Sequence, residues 1–129
     1  VQDITDNKLF VYMSTIKSGL QLQRFNTVPE KRTQIEVEQF LQTEGYTYER
    51  EKRLSERDIP DFFIHSSFGN VVLEVKTRYA KKATYRQLER YSKYDEVNGL
   101  ILLTGTSMCL PLSINNKPSL KASLGVGWL

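Results

Sequence analysis

Three side chains near the middle of the chain could do chemistry together. Along Val71 to Lys76 the positions Val71, Leu73 and Val75 are apolar, while Glu74 and Lys76 share the opposite face of a strand because side chains alternate. An acid and an amine then project side by side. That strand candidate runs Val71 to Tyr79, and Asp61 belongs to a preceding one, Ile59 to His65, joined to it by Ser66-Ser67-Phe68-Gly69, a stretch of hairpin length. With a four-residue turn, His65 pairs with Asn70 and Asp61 falls directly opposite Glu74. A two-residue turn at Phe68-Gly69 sets Asp61 opposite Lys76 instead. In both registers Asp61 shares the Glu74/Lys76 face; a three- or five-residue turn would send it to the other side.

Directly opposed residues have β-carbons about 4.5 to 5.5 Å apart. At an effective dielectric near 20, two like unit charges at ~4 Å repel by roughly 4 kcal/mol. Lys76 offsets part of that. A hard dication held by two carboxylate oxygens and a backbone carbonyl can offset the rest while keeping several waters, as Mg²⁺ prefers. Such an ion would polarise a phosphate, stabilise the charge developing on it and lower the pKa of a water. Lys76 would stand near the attacking water or a non-bridging oxygen as a compact ammonium. Taken alone, Glu and Lys two apart on a strand are ordinarily a solvent-facing edge with a weak ion pair. The conjunction argues for more: Pro-Asp enters an apolar strand, Glu-Val-Lys sits in the next, and a basic helix and a buried strand follow.

The charge distribution points the same way. From Lys76 to Lys93 there are seven cations (Lys76, Arg78, Lys81, Lys82, Arg86, Arg90 and Lys93) against one anion, Glu89, in a chain whose net charge is only +3. A basic segment on an otherwise acidic body is the footprint of a polyanion-binding surface, although such a run by itself is also how a solvated helix face looks. Arg78, Lys81, Lys82, Arg86 and Arg90 are the expected phosphate contacts.

These residues need positioning elements. Lys31 to Glu44 reads as a helix, with Val37, Phe40 and Leu41 on one face and Gly45 as its stop. Tyr46 and Tyr48 alternate with polar residues as in a short strand, and Arg50 to Arg57 is a charged connection. Thr84 to Val97 reads as a helix with Leu88, Tyr91 and Tyr94 inward, ended by Asn98-Gly99. Leu100 to Leu103 is a strand buried on both faces. Leu9 to Met13 fits a strand or a buried helical turn. The tail, with Pro111, Asn115-Asn116 and Pro118, suggests another hairpin ending in Val126-Gly127-Trp128. The order predicts an α/β sandwich around a mixed sheet.

At 129 residues, one domain is expected, large enough to build a core without disulfides or a structural metal. Within it, residues 31–105 read as the core, 1–30 as an N-terminal extension and 106–129 as a C-terminal one. The lone Cys109 has no zinc-spaced partner and no activating neighbour, so it is expected to pack, in a reducing compartment. The longest strongly apolar run, Gly99 to Gly105, is far short of the ~20 residues of a spanning helix. The acidic Val1-Gln2-Asp3 does not read as a secretory signal. A cytoplasmic protein, or one with DNA in the nucleoid or nucleus, is expected, not a secreted or membrane protein.

Pro60-Asp61, twelve intervening residues, and Glu74-Val75-Lys76 resemble the motif order and spacing of the PD-(D/E)XK nuclease superfamily. The helix Thr84 to Tyr91 is similar to that family's following helix in its Q-x-x-x-Y pattern, here Gln87 and Tyr91. The small single-domain members look closest: virus-type replication-repair (VRR) nuclease domains and archaeal Holliday-junction resolvases. The resemblance covers about residues 31 to 105. It implies a restriction-endonuclease-like core with a mixed sheet of about four strands flanked by helices. It also implies Asp61, Glu74 and the Val75 carbonyl as ligands of Mg²⁺ or Mn²⁺, and Lys76 as the catalytic lysine. These families usually carry a glutamate on the first helix, about eleven residues before a glycine like Gly45; that position here is Gln34. Glu38, one turn later on the same flank, is the expected substitute, and Glu36 points away toward solvent. Gln87 falls on the inward face of its helix, so its amide needs partners; it is expected to bond a water on the ion or a substrate phosphate. His65, at the turn and roughly 13 Å along the strand from Asp61, reads as a turn-edge residue.

The expected activity is metal-dependent hydrolysis of DNA phosphodiesters by an endonuclease that recognises structure, branched or single-stranded, since no base-reading module is visible. Small nucleases of this type often work as homodimers, which would let two sites cut two strands. The alternatives are a catalytically silent nucleic-acid-binding module of the same fold, favoured by Gln34, and an RNA endonuclease.

Overall fold

The computed structural model describes residues 7–125. Three helices flank one mixed sheet: α1 (Lys8–Gln21), α2 (Glu30–Thr43), β1 (Thr47–Arg50), β2 (Phe62–His65), β3 (Val71–Lys76), α3 (Lys81–Ser92), β4 (Gly99–Thr104), β5 (Ser113–Ile114) and β6 (Lys117–Ser123). Strand order is β1-β2-β3-β4-β6-β5. β1, β2 and β3 run antiparallel, β3, β4 and β6 are parallel neighbours, and β5 closes antiparallel on β6. The α/β class expected from the sequence is the one observed, with six strands rather than about four.

The added strands come from residues read as extensions. The 106–129 stretch supplies β5 and β6, whose hairpin turns at Asn115 and Asn116 with φ of 50° and 65°. Both are left-handed conformations, which asparagine tolerates and a two-residue hairpin turn demands. The proposed end of that hairpin at Val126-Gly127-Trp128 lies outside the described residues. In the 1–30 stretch, Leu9 to Met13 is helical. The Asn7 side chain caps α1 by accepting from Leu9 N at 2.7 Å, and Leu9, Met13, Ile16 and Leu20 form its buried stripe. α1 packs on β4 and β6, so both extensions belong to the one core.

Two apolar layers follow from strand alternation. On one face, Phe62, Ile64, Val71, Leu73, Val75, Ile101 and Leu103 meet α1 and α2. On the other, Phe63, Val72, Leu100 and Leu102 meet Leu88 and Tyr91 of α3 and Ile114 of β5. β3 and β4 are buried on both sides, as parallel strands under two helical layers must be. The observed helices begin a little earlier than the periodicity suggests: α2 starts at Glu30 directly after Pro29, and α3 runs Lys81–Ser92, ending before Val97. No helix among the described residues is long and apolar enough to cross a membrane.

The chain just after the charged connection Arg50 to Arg57 carries a buried acid. Asp58 is buried, and its carboxylate accepts from Arg90 Nε at 2.9 Å and from the Tyr94 hydroxyl at 2.7 Å, tying α3 to the entry of β2. Burial alone would raise its pKa; the Tyr94 and Arg90 bonds outweigh that and hold it below the ordinary value. Asp58→Ala is expected to lower stability in urea unfolding by roughly 2 to 3 kcal/mol, since it strands charged and hydroxyl donors, while an effect within experimental error would mean the clamp is ornamental.

Candidate active site

The β2–β3 register settles which side chains meet. Phe62 pairs with Leu73 and Ile64 with Val71, the register of the four-residue turn Ser66 to Gly69, and the next position in line sets Asp61 across from Glu74. The turn is closed by Gly69 N donating to Ser66 O at 3.2 Å, with Gly69 at φ 136°. Here the ladder forks: β2 begins at Phe62, while β3 continues to Lys76 paired with β4 alone.

At the fork the two acids complete the pairing with their side chains. Asp61 N donates to Glu74 Oε1 at 3.0 Å, and Val75 N donates to Asp61 Oδ2 at 2.7 Å. Each carboxylate is thus fixed through one oxygen by a main-chain amide. The other oxygens are held loosely: Asp61 Oδ1 accepts from Gln34 Nε2 at 3.3 Å, and Glu74 Oε2 faces Lys76 Nζ at 3.4 Å and the Tyr91 hydroxyl at 3.5 Å. A residue's N–H and C=O point to the same side of a strand, so the Val75 carbonyl also faces the fork, beyond the last β2 pair.

The electrostatics of this arrangement are unbalanced. Desolvation, reinforced by the neighbouring Asp61 charge, pushes Glu74 up to about 8; desolvation pushes Asp61 up to about 6 against the pull of the Val75 amide and Lys76. Two buried acids share one ammonium, and near neutrality the pair retains protons that solvated carboxyls would release. A dication suits this donor set. Two hard carboxylate oxygens and a main-chain carbonyl are a small ligand set of the kind Mg²⁺ accepts when waters or phosphate oxygens complete its shell. Among the described residues there is no group of three His, Cys, Asp or Glu side chains that could hold a metal without them.

The flanking residues distribute differently from expectation. Gln34 is the α2 residue that reaches Asp61. Glu38, the expected substitute, does not join the cluster: Oε2 accepts from the Tyr48 hydroxyl at 2.7 Å and Oε1 from Arg50 at 3.0 Å. Those bonds, the Tyr48 one foremost, hold its pKa low and commit it to the β1 side. Glu36 points away from the acids, as expected, and ties down Asn26 and Arg32 at the surface. Gln87 lines a groove beside the acids and donates through Nε2 to the Tyr91 hydroxyl at 2.8 Å, so it also reaches Glu74 through Tyr91. Burial, with the Glu74 charge behind it, raises the pKa of Tyr91, keeping its hydroxyl a donor.

The sequence reading missed Glu30. Its Oε1 accepts from Thr77 N at 2.7 Å and Thr77 Oγ1 at 3.2 Å, its Oε2 from the Tyr79 hydroxyl at 3.2 Å, and its charge is felt at Asp61. The signal was present: Glu30 lies one helical turn before Gln34, but only if the helix is started directly after Pro29.

Of the basic residues, Arg78, Lys81, Lys82 and Arg86 are exposed. Lys81 also donates to Ser107 Oγ at 3.0 Å. Arg90 is committed to Asp58 and is structural first. Arg57, Lys76, Tyr79, Arg86, Gln87 and Arg90 line a groove of about 360 Å³ beside the acids. His65 bonds Glu49 of β1 at 2.6 Å, at the turn end of β2. Cys109 is exposed rather than packed.

The raised acids carry a stability signature. Their folded pKa values exceed the unfolded ones, so their contribution is fully present below about pH 4 and is lost as pH rises toward about 8. In EDTA, Glu74→Gln should therefore melt higher than the parent at pH 8.5, by roughly 5 °C or more, with the gap closing toward pH 5; a gap independent of pH would mean Glu74 is not strained by its charge. Comparison with protein-family models, curated proteins and solved structures finds no match to this chain, so the work of the cluster has to be read from its own atoms.

Proposed function

We propose that this chain is a divalent-metal-dependent nuclease that hydrolyses DNA phosphodiesters, acting as a structure-selective endonuclease on a restriction-endonuclease-like core. The observation that carries the reading is the fork itself: two buried carboxylates each anchored through one oxygen, an ammonium 3.4 Å from one of them, and a cation-lined groove alongside. The α/β arrangement of α2 and α3 on the two faces of a mixed sheet supports the reading by being compatible with such a core, and the sheet has six strands where the resemblance implies about four.

Asp61, Glu74 and the Val75 carbonyl would hold Mg²⁺ or Mn²⁺. Bound there, the ion supplies charge that polarises a phosphate and acidifies a water. Lys76 brings protons and positive charge to the groove side of Glu74, where a non-bridging oxygen or the attacking water can take a hydrogen bond. Tyr91, oriented by Gln87, stands 3.5 Å from Glu74 Oε2 as a further neutral donor beside it. Arg57, Arg86, Lys81 and Lys82 would grip flanking phosphates, and Arg78 those beyond the β3 end.

A second reading, a silent nucleic-acid-binding module, is favoured by one observation: the α2 residue facing Asp61 is an uncharged amide, which adds no negative charge for an ion. Purified protein incubated with supercoiled, branched and single-stranded DNA and with RNA, in Mg²⁺, Mn²⁺ or EDTA, separates the readings. Metal-dependent cutting that falls by at least about 100-fold in Asp61→Ala and Lys76→Ala, with binding retained by Lys76→Ala, is the expected result. Binding without cutting in any metal would establish the module, and preference for RNA the ribonuclease.

Replacing Lys81, Lys82 and Arg86 by Ala should weaken binding and flatten the dependence of log K on log salt by about one unit per lost phosphate contact. Arg90→Ala is expected to lower thermal stability with little change in that slope, because its guanidinium is already paired; an equal slope change would place it in the substrate path.

A further inference from the structure

Tyr79 is half-exposed, yet it is held at two points. Its hydroxyl donates to Glu30 Oε2 at 3.2 Å, and Lys76 Nζ stands 4.3 Å from the centre of its ring. Glu30 is itself anchored by the amide and hydroxyl of Thr77, so the short linker between β3 and α3 is pinned to the start of α2. An exposed aromatic ring in a linker would ordinarily swing freely. This one is fixed in the wall of the cation-lined groove, next to the lysine at the fork.

An immobilised aromatic among groove cations is the arrangement by which proteins take up unpaired nucleotides: the cations follow the phosphates and the ring stacks on a base. In an intact duplex both faces of every base are already covered by neighbours, so a ring in the wall of a backbone-binding groove can stack only on a base that has left the helix. We infer that Tyr79 is the stacking platform for one unpaired nucleobase adjacent to the phosphate presented to Asp61, Glu74 and Lys76, and that the substrate class is therefore single-stranded or locally unpaired nucleic acid. This rests on the nuclease reading for the identity of the ligand but not on cleavage.

The test measures binding of the full chain in EDTA, where no cutting occurs, to a single-stranded oligonucleotide and to a blunt duplex of equal length. A series of the same oligonucleotide, each with one abasic position, is added. The parent should prefer the single strand and lose roughly 5- to 100-fold in affinity when one particular base is removed. Tyr79→Leu should lose a similar factor on the intact oligonucleotide, and the abasic penalty should then vanish because ring and base act as one pair. Tyr79→Phe, which keeps the ring and gives up the Glu30 bond, should stay within a few-fold of the parent and quench 2-aminopurine placed at the sensitive position. Equal losses on duplex and single strand, or no position sensitive to base removal, would overturn the stacking role while leaving the nuclease reading intact. Stacking without any metal-dependent cutting would support it and retire the hydrolytic reading. No binding to any nucleic acid would overturn both.

Discussion

The pair of hydrogen bonds that crosses the β2–β3 fork is the constraint on which the site depends. Where the ladder stops, Asp61 and Val75 would each be left with a main-chain amide lacking its strand partner, and each is satisfied by the carboxylate of the other strand. The acids are thereby pre-positioned by backbone needs rather than by loops. Because the period of a strand is two residues, a slip of one would carry Asp61 to the α2 face and dissolve the cluster. The same bonds that preorganise the acids also bury them, and their charge imbalance follows from that burial.

The rest of the molecule manages the consequences. α3 must lie close enough for Tyr91 to reach Glu74, and the buried Asp58, by gripping Arg90 and Tyr94, holds it there from the strand-entry side. From the other face α2 delivers Glu30 and Gln34 to the same end of β3, one turn apart. α1, β5 and β6 take no part in the site; they cover β4, which lets β3 and β4 be apolar on both faces apart from Glu74, Lys76 and Thr104 toward their C-terminal ends. Glu74 is only 2% exposed, and it is the one charged residue of β3 that is fully buried, Lys76 at the strand end keeping partial exposure.

How much of this could be read from the sequence depended on whether a residue's partner was local. The strand periods, the hairpin spacing and the Gly45 stop all report on near neighbours, and they located β2, β3, β4, α2 and α3 to within a few residues. Asp61 opposite Glu74 was one of two registers left open, because the turn length, not the pattern, decides between them. Glu38 against Gln34 was misjudged because helical spacing says which residues share a flank and nothing of what faces it; Tyr48 and Arg50, on a strand that follows, claimed Glu38. Asp58 and Glu30 act across 32 and 47 positions of chain, on Arg90 and Thr77, and no periodicity carries such information. Leu9 to Met13 was undecidable at five residues, and the sheet it covers is built largely from the other end of the chain.

Gln34 leaves this pocket with a smaller anionic charge than three acids would create. For a nuclease built this way, an ion alone would find a shallow well, since Asp61 and Glu74 are already partly answered by Lys76 and by shared protons. A phosphodiester brings the missing negative oxygens with it. Ion and polynucleotide would then each raise the other's affinity, as thermodynamic reciprocity requires, and the fully assembled centre would exist chiefly when a strand lies in the groove. Such a protein would hold its hydrolytic machinery in an incomplete form between encounters, a safeguard obtained by leaving out one charge.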